Sequence, residues 1–187
     1  MNIMIVGVGG QGTLLASRII GNVVVDAGYD VKLSEVHGMS QRGGSVVTYV
    51  KYSDKVYSPI VDKGEADIIL AFEMLEAYRA LPYLKIGGHI ISNTQEINPM
   101  PVITGAMEYP KDIDKKLAKV ANTTFVDAKS LAKEAGNIKA VNVVLLGVMA
   151  KKMDISYDKW IEAIKTTVPA KLLDVNLKAF ELGYNSK

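Results

Sequence analysis

Apolar positions follow two rhythms along this chain. Short continuous runs rich in Ile and Val alternate with longer stretches in which Leu, Ile, Val and Ala recur every three or four positions. The first rhythm marks strands buried on both faces, the second amphipathic helices. Ile3–Val6 reads as a buried parallel strand. A helix follows from about Gln11 to Ala27, with Leu15, Ile19, Val23 and Ala27 on one face. Leu14, Ile20, Val24 and Val25 make that helix apolar nearly all round, so it is covered on more than one side. One side suits the sheet. The other suits either a partner chain or the chain's own C-terminal helices. Gly28 is placed to end the helix in the left-handed conformation, and Val31–Val36 is a second strand.

The alternation then breaks. Ser45–Tyr52 is strand-like, rich in Val, Thr and Tyr; Asp54-Lys55 reads as a turn, and Val56–Ile60 as a strand pairing back in a hairpin. Asp67–Phe72 is again a buried strand. Leu75–Leu84 reads as a helix limited by Pro82, and His89–Asn93 as a strand. Residues 95–110 hold three of the six prolines and read as a loop with a short strand at Val102–Thr104. A helix at Ile113–Ala121, a strand at Thr124–Val126 and a helix at Ala128–Ala135 follow. The rest is helical: Val141–Lys152, Tyr157–Thr166 with Ser156 as N-cap, and Lys171–Leu182 closed by Gly183. The expected fold is α/β: a Rossmann-like, mostly parallel sheet with an antiparallel hairpin insertion and a helical C-terminal third. Residues 1–187 read as one domain.

Composition narrows the chemistry. The net charge of +2 and only three arginines, Arg18, Arg42 and Arg79, make no field for nucleic acid. No apolar run reaches the length of a membrane span, and no signal-peptide pattern opens the chain, so the expected location is cytoplasmic. There is no cysteine, which excludes a disulfide framework, a cysteine nucleophile and a cysteine-ligated iron–sulfur cluster in this chain. With His37 and His89 the only histidines, a multi-histidine metal site is not expected.

Two glycine-rich segments carry the candidate chemistry. Gly7-Val8-Gly9-Gly10-Gln11-Gly12 matches G-x-G-x-x-G between a strand and a helix. Such a turn offers unpaired helix amides and close backbone approach, which favours an anion; it also serves simple strand–helix packing. Glu35 lies 23 residues after Gly12 at a strand end, a tolerable position for a ribose contact. The second segment is His37-Gly38-Met39-Ser40-Gln41-Arg42-Gly43-Gly44. Arg42 can hold a carboxylate or phosphate bidentately, His37 can donate a proton or a polar contact, and the glycines can turn amides outward. The segment reads as a partner interface, an anion-binding loop or both, with an idle surface loop as the alternative. In an open parallel sheet the strand carboxyl ends share one edge, so Gly7–Gly12, Glu35–His37, Phe72-Glu73 and Asn93-Thr94 are expected together. Asn142 sits at a helix entrance, to cap it or to face a neighbour. A stand-alone NAD- or flavin-binding oxidoreductase and a purely structural assembly subunit both remain open on these residues. A P-loop lysine, a G-x-S-x-G elbow, paired metal carboxylates and a Gly-Asp-Gly…Asn-Asn thiamine motif are absent.

The run I-V-G-V-G-G-Q-G-T-L-L-A-S-R-I-I-G (5–21), then S-E-V-H-G-M-S-Q-R-G-G-S-V-V (34–47), resembles the gamma domain of 2-oxoacid:ferredoxin oxidoreductases. Within that family it is most similar to the small beta subunit of the indolepyruvate type. A-D-I-I-L-A-F-E (66–73), Asn142 before V-V-L-L-G, and N-L-K-A-F-E-L-G-Y (176–184) extend the resemblance along the chain. It implies oxidative decarboxylation of a 2-oxoacid with coenzyme A to acyl-CoA, CO2 and reduced ferredoxin. It further implies thiamine diphosphate and [4Fe-4S] clusters in a large alpha subunit, and a possible dimer of heterodimers. Inferred active-site-facing residues are Gly9, Gly10, Gln11, Gly12, Ser40, Gln41, Arg42, Gly43 and Gly44, with His37 and Arg42 the catalytic candidates.

Overall fold

The structure, a computed structural model, describes residues 1–37 and 44–186, with His37 described by its backbone. In chain order its elements are β1 (Asn2–Val8), α1 (Thr13–Asp26), β2 (Asp30–His37), β3 (Ser45–Ser53), β4 (Ala66–Ala71), α2 (Met74–Ala80) and β5 (Leu84–Asn93). There follow α3 (Met100–Ile103), α4 (Ile113–Val120), β6 (Asn122–Val126), α5 (Ala128–Ala135), α6 (Val141–Ala150), α7 (Tyr157–Thr167) and α8 (Leu173–Asn185).

The strands form one six-stranded sheet in the order β2-β3-β1-β4-β5-β6. β1, β4, β5 and β6 pair in parallel, while β3 is antiparallel to both β1 and β2. The insertion is therefore a strand wedged between β1 and β2. The expected antiparallel insertion is present, but the hairpin of Ser45–Tyr52 with Val56–Ile60 is not formed: 56–60 form no strand, and β3 pairs with β2 and β1 instead. Asp30 explains part of this: its carboxylate accepts from the Val56 N–H at 2.9 Å and from Lys32, fixing the chain after β3 in a turn.

Alternate residues of β1 point to opposite layers, as the two-residue period of a strand requires. Ile3 and Ile5 join a core with α1, α5, α6, α7 and α8; Met4 and Val6 join a smaller one with α2 and α4. Of the two expectations for the second side of α1, burial under the C-terminal helices is what the fold contains: α6 and α7 pack on it. Asn22 on α1 donates to the Thr167 hydroxyl at 2.8 Å. A narrow stripe with Leu14 and Val25 stays exposed.

Other expectations need correction. Residues 102–104 are not a strand, because Pro99 and Pro101 start the short helix α3 instead, proline being well tolerated at a helix's first turn. Gly183 does not end the last helix, which runs on to Asn185. It lies where α8 crosses α6: a Cβ on Gly183 would stand 1.9 Å from the Val144 carbonyl oxygen, and one on Gly147 would stand 2.2 Å from that of Phe180. These glycines serve close helix approach rather than capping. Ser156 holds the N-cap position of α7, but its hydroxyl makes no capping bond.

Candidate functional site

The carboxyl ends of β1, β4 and β5 meet at a set of side-chain amides. The turn after β1 places Gly10 and Gly12 in the left-handed region, φ +93° and +84°, where a side chain is strained. Gln11 turns back under it. Its Oε1 accepts from the Val8 N–H at 2.8 Å and its Nε2 donates to the Phe72 carbonyl at 3.1 Å. Gly7 makes room: a Cβ there would lie 2.7 Å from Gln11 Oε1 and 3.1 Å from Phe72 Cβ. Asn93, fully buried, donates to the same Phe72 carbonyl at 3.1 Å and accepts from the Ala128 N–H at the start of α5. Asn142 faces a neighbour; it does not cap α6, whose N-cap residue is Ala140 with no side-chain capping bond. Its Nδ2 donates to the Gly12 carbonyl at 3.2 Å and its Oδ1 takes the Val143 N–H at 2.9 Å. The glycine at 12 is required by that approach, since a Cβ would sit 2.6 Å from Asn142 Nδ2.

Two buried carboxylates complete the edge. Glu73, 1% exposed, caps α2 by accepting from the Glu76 N–H at 2.9 Å. Its other oxygen takes the Ile97 N–H at 2.9 Å and the Tyr109 hydroxyl at 2.7 Å. Burial, then the hydrogen bond to Glu73 and its charge, raise the Tyr109 hydroxyl far above its ordinary value, so it stays a donor. Glu76 accepts from the Ser45 hydroxyl at 2.6 Å and pairs with Arg79 at 2.6 Å. Ser45 follows Gly44, whose carbonyl accepts the Gly9 N–H at 3.0 Å. The two glycine-rich segments are thus joined, as their place at the sheet edge predicts. Ser40, Gln41, Arg42 and Gly43 lie outside the described residues, as does the His37 side chain.

Glu35 is not beside the glycine turn. β3 stands between β2 and β1, at about 4.8 Å per strand spacing. The Glu35 carboxylate accepts from the buried Thr48 hydroxyl on β3 at 3.2 Å. Toward β5 and β6, a cavity of about 560 Å³ opens between the turn, the start of α5, the approach to α6 and the start of α8. Sequence reasoning missed Glu76, Ser45, Tyr109 and Asn176. Only the first had a visible signal: Glu73 and Glu76 stand three apart at a helix start, the spacing of a capping pair.

Fold and site together define a Rossmann-like α/β protein whose polar edge is built around a glycine turn with no acidic ribose partner beside it among the described residues. The chain belongs to the Pyruvate ferredoxin/flavodoxin oxidoreductase family, which it matches over residues 2–186. It is 45% identical to "Indolepyruvate oxidoreductase subunit IorB" of Pyrococcus horikoshii over 97% of this chain and 93% of that one. Among solved structures it resembles the keto/oxoacid ferredoxin oxidoreductase gamma subunit of Geobacter sulfurreducens PCA, with TM-score 0.73 and 25% identity over 98% and 95% of the two chains. It also shares a fold, at TM-score 0.74 and 19% identity, with part of the 2-oxoglutarate:ferredoxin oxidoreductase of Magnetococcus marinus, solved with 2-oxoglutarate, coenzyme A and succinyl-CoA bound. That alignment covers 98% of this chain and 30% of the other.

Proposed function

We propose that the chain is the small subunit of an indolepyruvate-type 2-oxoacid:ferredoxin oxidoreductase. The complex decarboxylates the 2-oxoacid, joins the acyl group to the coenzyme A thiol and passes the electron pair to ferredoxin. With indolepyruvate the products are indoleacetyl-CoA, CO2 and reduced ferredoxin. The near-full-length likeness to the Pyrococcus horikoshii subunit carries this reading.

Thiamine diphosphate and [4Fe-4S] clusters belong to the large alpha subunit, where they supply the decarboxylation chemistry and the electron path. This chain does not fit them. It has no cysteine to ligate a cluster, and its described residues bring no three His, Asp or Glu side chains around a metal position. Its part is to close and orient. The joined segments at the carboxyl edge face the partner's active site, where excluding water strengthens every fixed dipole. Arg42, with the amides of Gly10, Gly43 and Gly44, holds a substrate carboxylate or a coenzyme A phosphate, while the Gly9 amide, engaged by the Gly44 carbonyl, ties the two segments together; His37, Ser40 and Gln41 add hydrogen bonds. Gln11 acts as a brace, both ends of its amide being held. The assembly is a dimer of heterodimers in the cytoplasm; no helix among the described residues is long and apolar enough to cross a membrane. A stand-alone NAD enzyme is disfavoured by β3, which removes Glu35 from the ribose position.

Co-expression with the large subunit tests the reading. The two chains should co-purify and reduce ferredoxin only when indolepyruvate and coenzyme A are both present. Arg42→Ala in that complex should raise a Michaelis constant or lower turnover while leaving association intact. NAD⁺ reduction by this chain alone, or full activity of the large subunit alone, would sink it. Loss of association without any kinetic change would leave a pure assembly subunit.

A further inference from the structure

Helix α2 carries a charge at a buried position. Met74, Leu75, Ala77 and Ala80 give it the apolar face it needs against the sheet, yet Glu76, 4% exposed, is a carboxylate. Its two oxygens are divided between two partners. Oε1 takes the Arg79 guanidinium at 2.6 Å, one turn along the same helix. Oε2 takes the Ser45 hydroxyl at 2.6 Å, from 31 residues away in sequence. Burying a carboxylate costs stability that such partners return only in part, and an apolar residue of similar size packs a helix at least as well. The Arg79 side chain is half exposed, so that pair contributes little. The bond to Ser45 is what sets Glu76 apart from a surface helix pair.

Ser45 opens β3 and is itself exposed, so packing does not fix it. It stands opposite Val8 in the last rung of β3 against β1. Just before it, Gly44 accepts the Gly9 N–H at 3.0 Å. That hydrogen bond is the joint between the two glycine-rich segments. Each strand of the rung has its own side-chain hold: Gln11 Oε1 on the Val8 N–H, and Glu76 Oε2 on Ser45. Glu76 is fixed in its turn. Its N–H donates to Glu73 Oε2 at 2.9 Å, and Glu73, 1% exposed, is tied to Ile97 and Tyr109. The hold on Ser45 therefore comes from the buried frame of the carboxyl edge.

We propose that Glu76 is a positioning residue. Through Ser45 it sets where β3 begins, and with it the Gly9–Gly44 joint that ties together the two segments facing the partner. Its kinetic consequence rests on the functional reading above; the link from Glu76 to the joint is a property of this chain alone.

Ser45→Ala and Glu76→Gln separate positioning from structural support. Ser45→Ala removes the link at an exposed residue and should leave the melting temperature of the isolated chain unchanged. Glu76→Gln keeps an oxygen for the Ser45 hydroxyl and loses only the charge facing Arg79. Amide hydrogen exchange on the isolated chain reads the joint: exchange at the Gly9 N–H should quicken by about tenfold in Ser45→Ala and stay near wild type in Glu76→Gln. In the complex with the large subunit, Ser45→Ala should raise KM for the 2-oxoacid or for coenzyme A by about tenfold, with kcat changed less. Ser45→Thr, which keeps the hydroxyl, should restore it. Glu76→Ala should match Ser45→Ala, and the double variant should lose nothing further. Unchanged Gly9 exchange in Ser45→Ala overturns the link. Wild-type kinetic constants in that variant, or losses that simply add in the double variant, overturn the positioning role. A wild-type complex that reduces no ferredoxin with any 2-oxoacid rejects the oxidoreductase reading instead, and Gly9 exchange still decides the link.

Discussion

The two ends of the sheet treat polar groups in opposite ways. At the carboxyl edge, polar side chains are buried and engaged: Glu73, Glu76, Asn93 and Asn142 are each under 5% exposed and each bonds to a residue outside its own element. At the amino edge, charges stay at the surface. Lys85 meets Asp67 at 3.1 Å with its side chain 58% exposed, and Lys51 meets Glu65 at 3.5 Å. Buried polar networks are strong when complete and very costly when one member is removed. Exposed ion pairs contribute little. The carboxyl edge is therefore a rigid frame, and the amino edge a solvated margin.

The largest test of that contrast is Glu73→Ala. It removes a helix cap and leaves the Ile97 N–H and the Tyr109 hydroxyl without their acceptor. A loss of about 3 kcal/mol is expected, read as a melting temperature lower by roughly 6–12 °C. Gln11→Ala comes next: it frees the Val8 N–H and one donor to Phe72, for about 1–2 kcal/mol, measured by urea unfolding. Lys85→Ala at the opposite edge should change stability by no more than about 1 kcal/mol. A Lys85 effect as large as that of Gln11 would break the comparison.

The smallest effect concerns His89 at the amino edge, whose Nε2 lies 2.8 Å from the Thr124 hydroxyl. Burial, then the charge of Lys152, lower its proton affinity below the ordinary histidine value. The unfolded chain thus takes up this proton first as pH falls. The stability His89 contributes is complete above the ordinary value and is lost as pH drops through the folded one. His89→Gln should flatten the slope of stability against pH between about pH 7 and pH 5; an unchanged slope would assign the acid sensitivity elsewhere.

Much of this was legible in the sequence because it is local. Ile3–Val6, Asp67–Phe72 and the all-apolar Val143–Val148 announce buried elements by composition alone, and strand direction then gathers their ends at one edge. The partner of β3 was not legible. Ser45–Tyr52 has the alternation of a strand half-covered on one face, which suits a neighbour on either side, and nothing nearby in sequence says that it inserts between β1 and β2. The roles of Gln11 and Asn142 were hidden for a related reason. An amide between glycines and an amide at a helix start look the same whether they face a ligand or the Phe72 and Gly12 carbonyls. Glycines mislead in the same manner, since Gly183 near a helix end reads as a terminator until the facing Val144 carbonyl is known.

That crossing of α6 and α8 has a consequence for how the chain tolerates change. With the facing carbonyls inside the volume of a methyl group at both positions, residues 147 and 183 accept no side chain without parting the two helices. Asn142 and Asn176 ride on those same helices, one bracing the glycine turn and the other lining the cavity. Substitutions that enlarge either glycine would therefore register far from where they are made, as a change in the spacing of the cavity walls. In a library selected for folded protein, the two positions would stand out as near-invariant glycines within helical sequence that otherwise varies.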